Sequence, residues 1–192
     1  MSKKFLFVID MQNDFIDGSL GSDDAKKIVP NVVKLIQNWG NDRDHAIWYT
    51  YDTHYEYDTL VTPAYETTLE GKMLPVEHCI KNTPGWQINE YVMDEIVNRK
   101  SIYDRAFVKE TFGSINMVNE AAKYLWENVN SSDEIHICGL VTNICVLNNF
   151  CLLRAKFPNL KIYVYKDCCA GTSNEAHNAA LMLMEQSGAI IV

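Results

Sequence analysis

The chain has 192 residues, 47% of them apolar and 22% charged, with a formal net charge of -8. That length and balance fit one globular domain, residues 1–192, large enough to bury a full core. The acidic balance excludes non-specific binding to nucleic acid or to an anionic membrane, both of which need excess Lys and Arg.

The first residues, MSKKFLFVIDMQ, place only FLFVI before Asp10, short of the roughly 7–15 apolar residues of a secretory signal. No apolar run approaches the ~20 residues of a membrane span. A cytoplasmic protein is expected, with no nucleic-acid or membrane partner. Its six cysteines are then expected to be thiols. None of them shares CxxC spacing, so a cysteine zinc cage has no support.

KFLFVID (4–10) is short, apolar and stopped by an acid, which predicts a buried strand. Residues 23–39 place Ile28, Val32, Leu35 and Ile36 on one helical face, with Pro30 expected in the first turns, where its missing N–H matters least. HAIWYTYD (45–52) reads as the next strand. From Thr53 to Pro84 there is little periodicity. A weak helix is predicted near 86–98, a strand over 101–109 and a helix over 114–128. The chain then alternates strand (134–139), helix (144–156), strand (161–167), helix (173–187) and strand (188–192). This alternation predicts a three-layer α/β/α fold on a mostly parallel, about six-stranded sheet.

In such a sheet ligands bind beyond the carboxyl ends of the strands. The polar residues at those ends are Asp10, Asp52, His54, Lys109 and the segment GLVTNIC (139–145). Cys145 opens a predicted helix, whose unpaired N–H groups and positive dipole end favour a thiolate and can donate to an oxyanion. An Asp can take the thiol proton, and a Lys can hold the charges in place. Singly, each residue has a plainer explanation: a cysteine after a strand packs in the core, an Asp at a strand end caps a turn, and a Lys is solvated. Their joint placement carries the chemistry. The other cysteines follow the plainer pattern, with Cys138 inside a strand and Cys151 at core spacing among Leu147, Phe150 and Leu153.

Asp52 and His54 are two apart, so on an extended segment they face the same way. His78, on a Pro-flanked segment, can fold back to meet them. Two imidazoles and a carboxylate suit a catalytic transition metal, although a DxH pair also arises on surfaces by chance. Phe15 and Trp86 are candidates to stack on a substrate ring, against a default of core packing. His45, His136 and His177 show no partner pattern and read as structural or surface residues. Thr142 reads as a helix cap ahead of a substrate contact. Aromatics such as Tyr91 and Tyr124 leave room for self-association, and a homo-oligomer is expected.

Three segments, FVIDMQNDF (7–15), VKETFGS (108–114) and GLVTNICV (139–146), together resemble the isochorismatase-like cysteine hydrolases, above all their nicotinamidase branch. They occur in family order and span most of the chain. The resemblance implies a catalytic triad of Asp10, Lys109 and Cys145. It also implies a cis peptide at Leu140–Val141 and an oxyanion hole from the Val141 and Cys145 amides. It further implies a divalent metal on Asp52, His54 and His78. Glu70 is expected as the fourth ligand, with Glu56 and Asp58 as alternatives. Zinc is the expected ion, iron or manganese the others, holding a pyridine nitrogen so as to orient the substrate. The chain departs from the family at Asn143, where Asp is usual, and a local structural effect is expected there.

The reaction implied is hydrolysis of nicotinamide, or a close analogue such as pyrazinamide, through a Cys145 thioester. The rival readings are a relative acting on another small amide, a ureido compound or isochorismate, and a non-catalytic binder of the same fold. The branches acting on those other substrates generally lack the metal set.

Overall fold

The computed structural model describes residues 2–58, 62–125 and 131–192. Six strands form one sheet: β1 (Lys4–Ile9), β2 (His45–Asp52), β3 (Arg105–Lys109), β4 (Glu134–Leu140), β5 (Lys161–Ala170) and β6 (Ala189–Ile191). Their order is β3-β2-β1-β4-β5-β6 and every pairing is parallel. β1 and β4 are central and covered on both faces, which is why their sequences run apolar without alternation.

The helices among the described residues are α1 (Asn13–Ile16), α2 (Asp23–Gln37), α3 (Leu69–Met73), α4 (Glu90–Asn98), α5 (Ile115–Ala121), α6 (Leu147–Lys156) and α7 (Asn174–Gln186). α2 packs with α1 and α4, while α6 packs with α5 and α7. From β1 the chain steps outward to β2 and β3, then returns to β4 on the far side of β1. Right-handed crossovers therefore place the two helix sets on opposite faces. The expected α/β fold holds.

The reversal between β1 and β4 is the switch point of the sheet, and their carboxyl ends part there to open a crevice. Gly139 makes the approach of the two strands possible. Its φ is +119°, and a Cβ on it would lie 2.0 Å from the Ile9 carbonyl oxygen, so only glycine fits.

Several boundaries differ from those expected. Ser101–Asp104 turns before β3 begins, and Asp104 is tied there by Arg99 and by the Ile47 N–H. α4 starts at Glu90, capped by Asn89. α5 is capped by Ser114 and ends at Ala121, and the residues expected to close it at 126–128 lie outside the described ones. β5 runs three residues past its expected end and crosses a register shift against β4 between Ile137 and Gly139. The aperiodic 53–84 stretch contains α3 and a 3₁₀ turn over Tyr65–Thr67. Pro30 lies at the eighth position of α2 rather than in its first turns. Cys151 is exposed, because α6 turns that position away from the core. Tyr124 is partly buried against Phe5 and Trp48, so of the two named aromatics only Tyr91 is exposed.

Candidate active site

Asp10, Lys109 and Cys145 meet at the crevice although 99 and 36 residues separate them along the chain. Asp10 follows β1 with φ +46°, and its carboxyl meets Thr50 of the neighbouring strand β2. The Thr50 hydroxyl accepts from the Asp10 N–H at 3.0 Å and donates to Oδ1 at 2.5 Å, which fixes the carboxylate. Lys109 ends β3 in register with Asp52 of β2. Its Nζ lies 2.7 Å from Asp10 Oδ2, 2.9 Å from Asp52 Oδ1 and 3.5 Å from Cys145 Sγ. All four side chains are buried.

Burial shifts each ionisation. The Cys145 thiol is pushed well above its usual range by desolvation, only partly opposed by Lys109. Desolvation thus works against the thiolate that a helix start was expected to favour. Desolvation also raises the Asp10 carboxyl, with Lys109 opposing it and Asp52 adding to it. A raised carboxyl beside a protonated thiol is the arrangement of a general base and its nucleophile. Burial works against ionisation of Asp52, yet Lys109 and the two imidazoles hold it well below the usual carboxylate range. Burial likewise disfavours the Lys109 cation, but its two carboxylates keep it firmly charged.

Cys145 lies in a π-helical turn, Thr142–Val146, that leads into α6. It is therefore the fourth residue of the turn rather than the opening residue of a regular helix. The peptide between Leu140 and Val141 is cis.

Asp52 also faces a second cluster. Its Oδ2 is 3.1 Å from His54 Nε2 and 3.3 Å from His78 Nε2. The far ring nitrogen of His78 is held by the Val76 carbonyl at 2.8 Å, so Nε2 points inward. Glu70 Oε1 is 3.7 Å from His54 Nε2, too far for a hydrogen bond, and has no partner although buried. One donor atom from each of Asp52, His54, Glu70 and His78 lies within 4.8 Å of all the others. That span is close to twice a zinc–ligand bond of ~2.0–2.2 Å. Burial, then Asp52, raise the Glu70 carboxyl, as befits an anion whose counter-charge is short. Asp10 and Asp52 share the Lys109 ammonium, whereas Glu70 faces the imidazole of His54 at 3.7 Å. A divalent cation on these four side chains would restore the balance and satisfy Glu70. The set fits such an ion.

Between the two clusters lies a cavity of about 320 Å³, at the lower end of the ~300–1,000 Å³ of small-molecule sites. Asp52, Glu70 and His78 line one part of it, Val141 and Cys145 another, and Phe15, Leu20, Leu74, Phe112 and Ile144 make it apolar.

The model of the isochorismatase domain family matches residues 4–192. The chain belongs to the isochorismatase family. It is 31% identical to the nicotinamidase of Saccharomyces cerevisiae over 173 residues, covering 74% of this chain and 77% of the relative. Identity to the nicotinamidase of Escherichia coli is 25%, over 98% and 93% of the two chains. The structure resembles the nicotinamidase/pyrazinamidase of Bacillus subtilis with a TM-score of 0.82 at 22% identity, each chain covered to 99%. It resembles the Pyrococcus horikoshii pyrazinamidase solved in complex with zinc with a TM-score of 0.70 at 22% identity, over 99% and 98% of the chains. The family expected from the three motifs, and its likeness to nicotinamidases, both hold.

Not every expected residue of this isochorismatase-family site reaches it. Phe15 lines the cavity and meets His78 edge-on, with ring centroids 5.3 Å apart. Trp86 is not among the described lining residues. Its ring packs on Tyr51 at 4.8 Å and its Nε1 donates to Thr53 Oγ1 at 2.8 Å, a structural role that corrects the ring-stacking expectation. Thr142 makes no cap: its hydroxyl pairs with His177 Nδ1 at 2.8 Å, which also gives His177 a partner. Asn143 accepts from the Thr172 N–H at 2.9 Å and donates to its hydroxyl at 3.1 Å. Asn143 thus ties the π turn to a loop that also lines the cavity.

Sequence reasoning missed Gln12, Phe112 and Asn149. Gln12 accepts from the Asp52 N–H at 2.7 Å and donates to the Asp52 and Trp86 carbonyls, both at 2.8 Å, so it sets the base of the metal cluster. Gln12 and Phe112 stood inside quoted motifs, and that was their only available signal.

Proposed function

We propose that this protein is a nicotinamidase-type amidohydrolase, converting nicotinamide or a close analogue to the free acid and ammonia. The observation that carries this is the Asp10–Lys109–Cys145 cluster sharing one small apolar cavity with the Asp52, His54, Glu70 and His78 donors. The 31% identity to a yeast nicotinamidase supports the substrate.

Asp10 takes the proton of Cys145 as sulfur bonds to the carboxamide carbon, and the carbonyl π pair moves onto oxygen. The Val141 and Cys145 N–H groups receive the resulting oxyanion. Lys109 keeps Asp10 and Asp52 in place and neutralises the charge that proton transfer shifts among them. Asp10 returns its proton to the amide nitrogen, the C–N bond breaks and ammonia leaves. Water then gives a proton to Asp10 and its oxygen to the thioester carbon. The acid departs, and Asp10 returns the proton to sulfur. Asp52, His54, Glu70 and His78 would hold a divalent cation, zinc in this reading, which would supply Lewis acidity to orient a pyridine-type substrate. Phe15 and Phe112 bound the ring. The enzyme is read as cytoplasmic and self-associating. Among the described residues, no helix is long and apolar enough to cross a membrane.

The test is ammonia release from nicotinamide by metal-replete protein. Wild type is expected to turn over, and Cys145→Ala to lose activity by the ~10⁴-fold or more typical of a removed nucleophile. Turnover that survives in Cys145→Ala would overturn the reading, as would an inactive metal-replete wild type.

A further inference from the structure

Asn149 is wholly buried on α6, one turn beyond Cys145, and has no place in the chemistry above. Its amide makes three hydrogen bonds, all to backbone. Nδ2 donates to the Cys145 carbonyl at 2.8 Å and to the Phe112 carbonyl at 3.2 Å. Oδ1 accepts from the Ser114 N–H at 2.9 Å. Phe112 and Ser114 belong to the loop that follows Lys109, and Ser114 caps α5. One amide thus ties the π turn carrying the nucleophile to the segment that carries the lysine and the aromatic wall. A π turn lacks the repeating i→i−4 ladder that holds an ordinary helix start, so Cys145 depends more on such side-chain ties.

We propose that Asn149 is a positioning residue that fixes the Cys145 turn against the Lys109–Ser114 segment. It thereby sets the Sγ–Nζ approach, 3.5 Å here, and the stance of Phe112. The kinetic part rests on the amidohydrolase reading; the rate of Cys145 alkylation does not.

The test compares Asn149→Thr with Asn149→Val. The two are nearly isosteric, but a Thr hydroxyl on a helix can donate to the carbonyl four residues back, which here is that of Cys145. Val leaves that buried carbonyl and the Phe112 carbonyl without the amide. On folded, metal-replete protein, Asn149→Val is expected to lower kcat by roughly 100-fold, the order seen for ~1 Å misplacements, with KM little changed. Asn149→Thr is expected to recover about tenfold of that, the worth of one hydrogen bond. Iodoacetamide alkylation of Cys145 should slow in Asn149→Val and recover in Asn149→Thr. A merely structural role would lower thermal stability and leave kcat and alkylation per folded molecule unmoved. If Asn149→Val does not fold, Asn149→Asp replaces it, keeping volume and the Ser114 acceptor but losing both donors. Equal kcat and alkylation rates in the Thr and donor-less variants would overturn the proposal. If wild type fails to hydrolyse nicotinamide while the alkylation order holds, only the substrate reading falls.

Discussion

His136 shows how strongly one residue's surroundings decide its chemistry. In mid-β4, it stacks on Tyr163 with ring centroids 4.6 Å apart, meets Trp39 edge-on at 4.8 Å and reaches Tyr165 and Glu134 with its two nitrogens. Desolvation lowers its pKa to about 4, against which Glu134 works. The unfolded chain binds this proton near pH 6.5, whereas the native state takes it up only near pH 4. Native stability is therefore present above about pH 6.5 and is lost as pH falls toward 4. Urea unfolding at pH 7 and pH 5 should show a loss of about 2 kcal/mol from this group, and His136→Gln should remove most of it. An unchanged pH slope in His136→Gln would contradict the account. Nothing in the sequence near His136 announced this cage, because its rings come from β5 and from Trp39 just after α2, both distant in sequence. The same holds for the Cys145 thiol: its place after a strand was legible, but its burial was not, and burial set the direction of its shift.

At the scale of elements, the strands and the long helices were legible because two apolar periods separate them cleanly. Their ends were less so. α2 keeps its helical course through Pro30, which cannot donate to the Lys26 carbonyl, because Ala25, Ile28, Val29, Val32 and Ile36 bury one full face against the sheet and α4. Packing there outweighs a local penalty of ~3 kcal/mol. Pro30 is exposed, so Pro30→Ala restores the backbone bond without disturbing the core. Allowing ~1 kcal/mol for the freer unfolded chain, the gain should be about 2 kcal/mol, a rise of roughly 4–8 °C in Tm for a chain of this size, with activity unchanged. A fall in Tm by scanning calorimetry would show that the helix does not carry this cost. The π turn at Thr142–Val146 was also illegible, since its apolar pattern matches an ordinary helix start.

At the scale of the whole molecule, the β1–β4 reversal gathers the site. Asp10, Asp52, Lys109 and the GLVTNIC turn stand at four strand ends that the parallel sheet brings to one edge, and this much followed from alternation alone. Roles needed more: the resemblance supplied Glu70, whose side chain comes from a stretch without periodicity, while Gln12 and Asn149 act through amide contacts spanning 40 and 35 residues. Such contacts leave no local trace in a single sequence. The central claim is that the nucleophile at this edge is Cys145 and that it carries the acyl group. Its most direct test is acid quenching during turnover of nicotinamide, followed by peptide mass spectrometry. A pyridine-carbonyl adduct on the Cys145 peptide, absent from Cys145→Ala, is the predicted result. Turnover with no adduct on Cys145, or with the adduct on another residue such as Cys151, would contradict it.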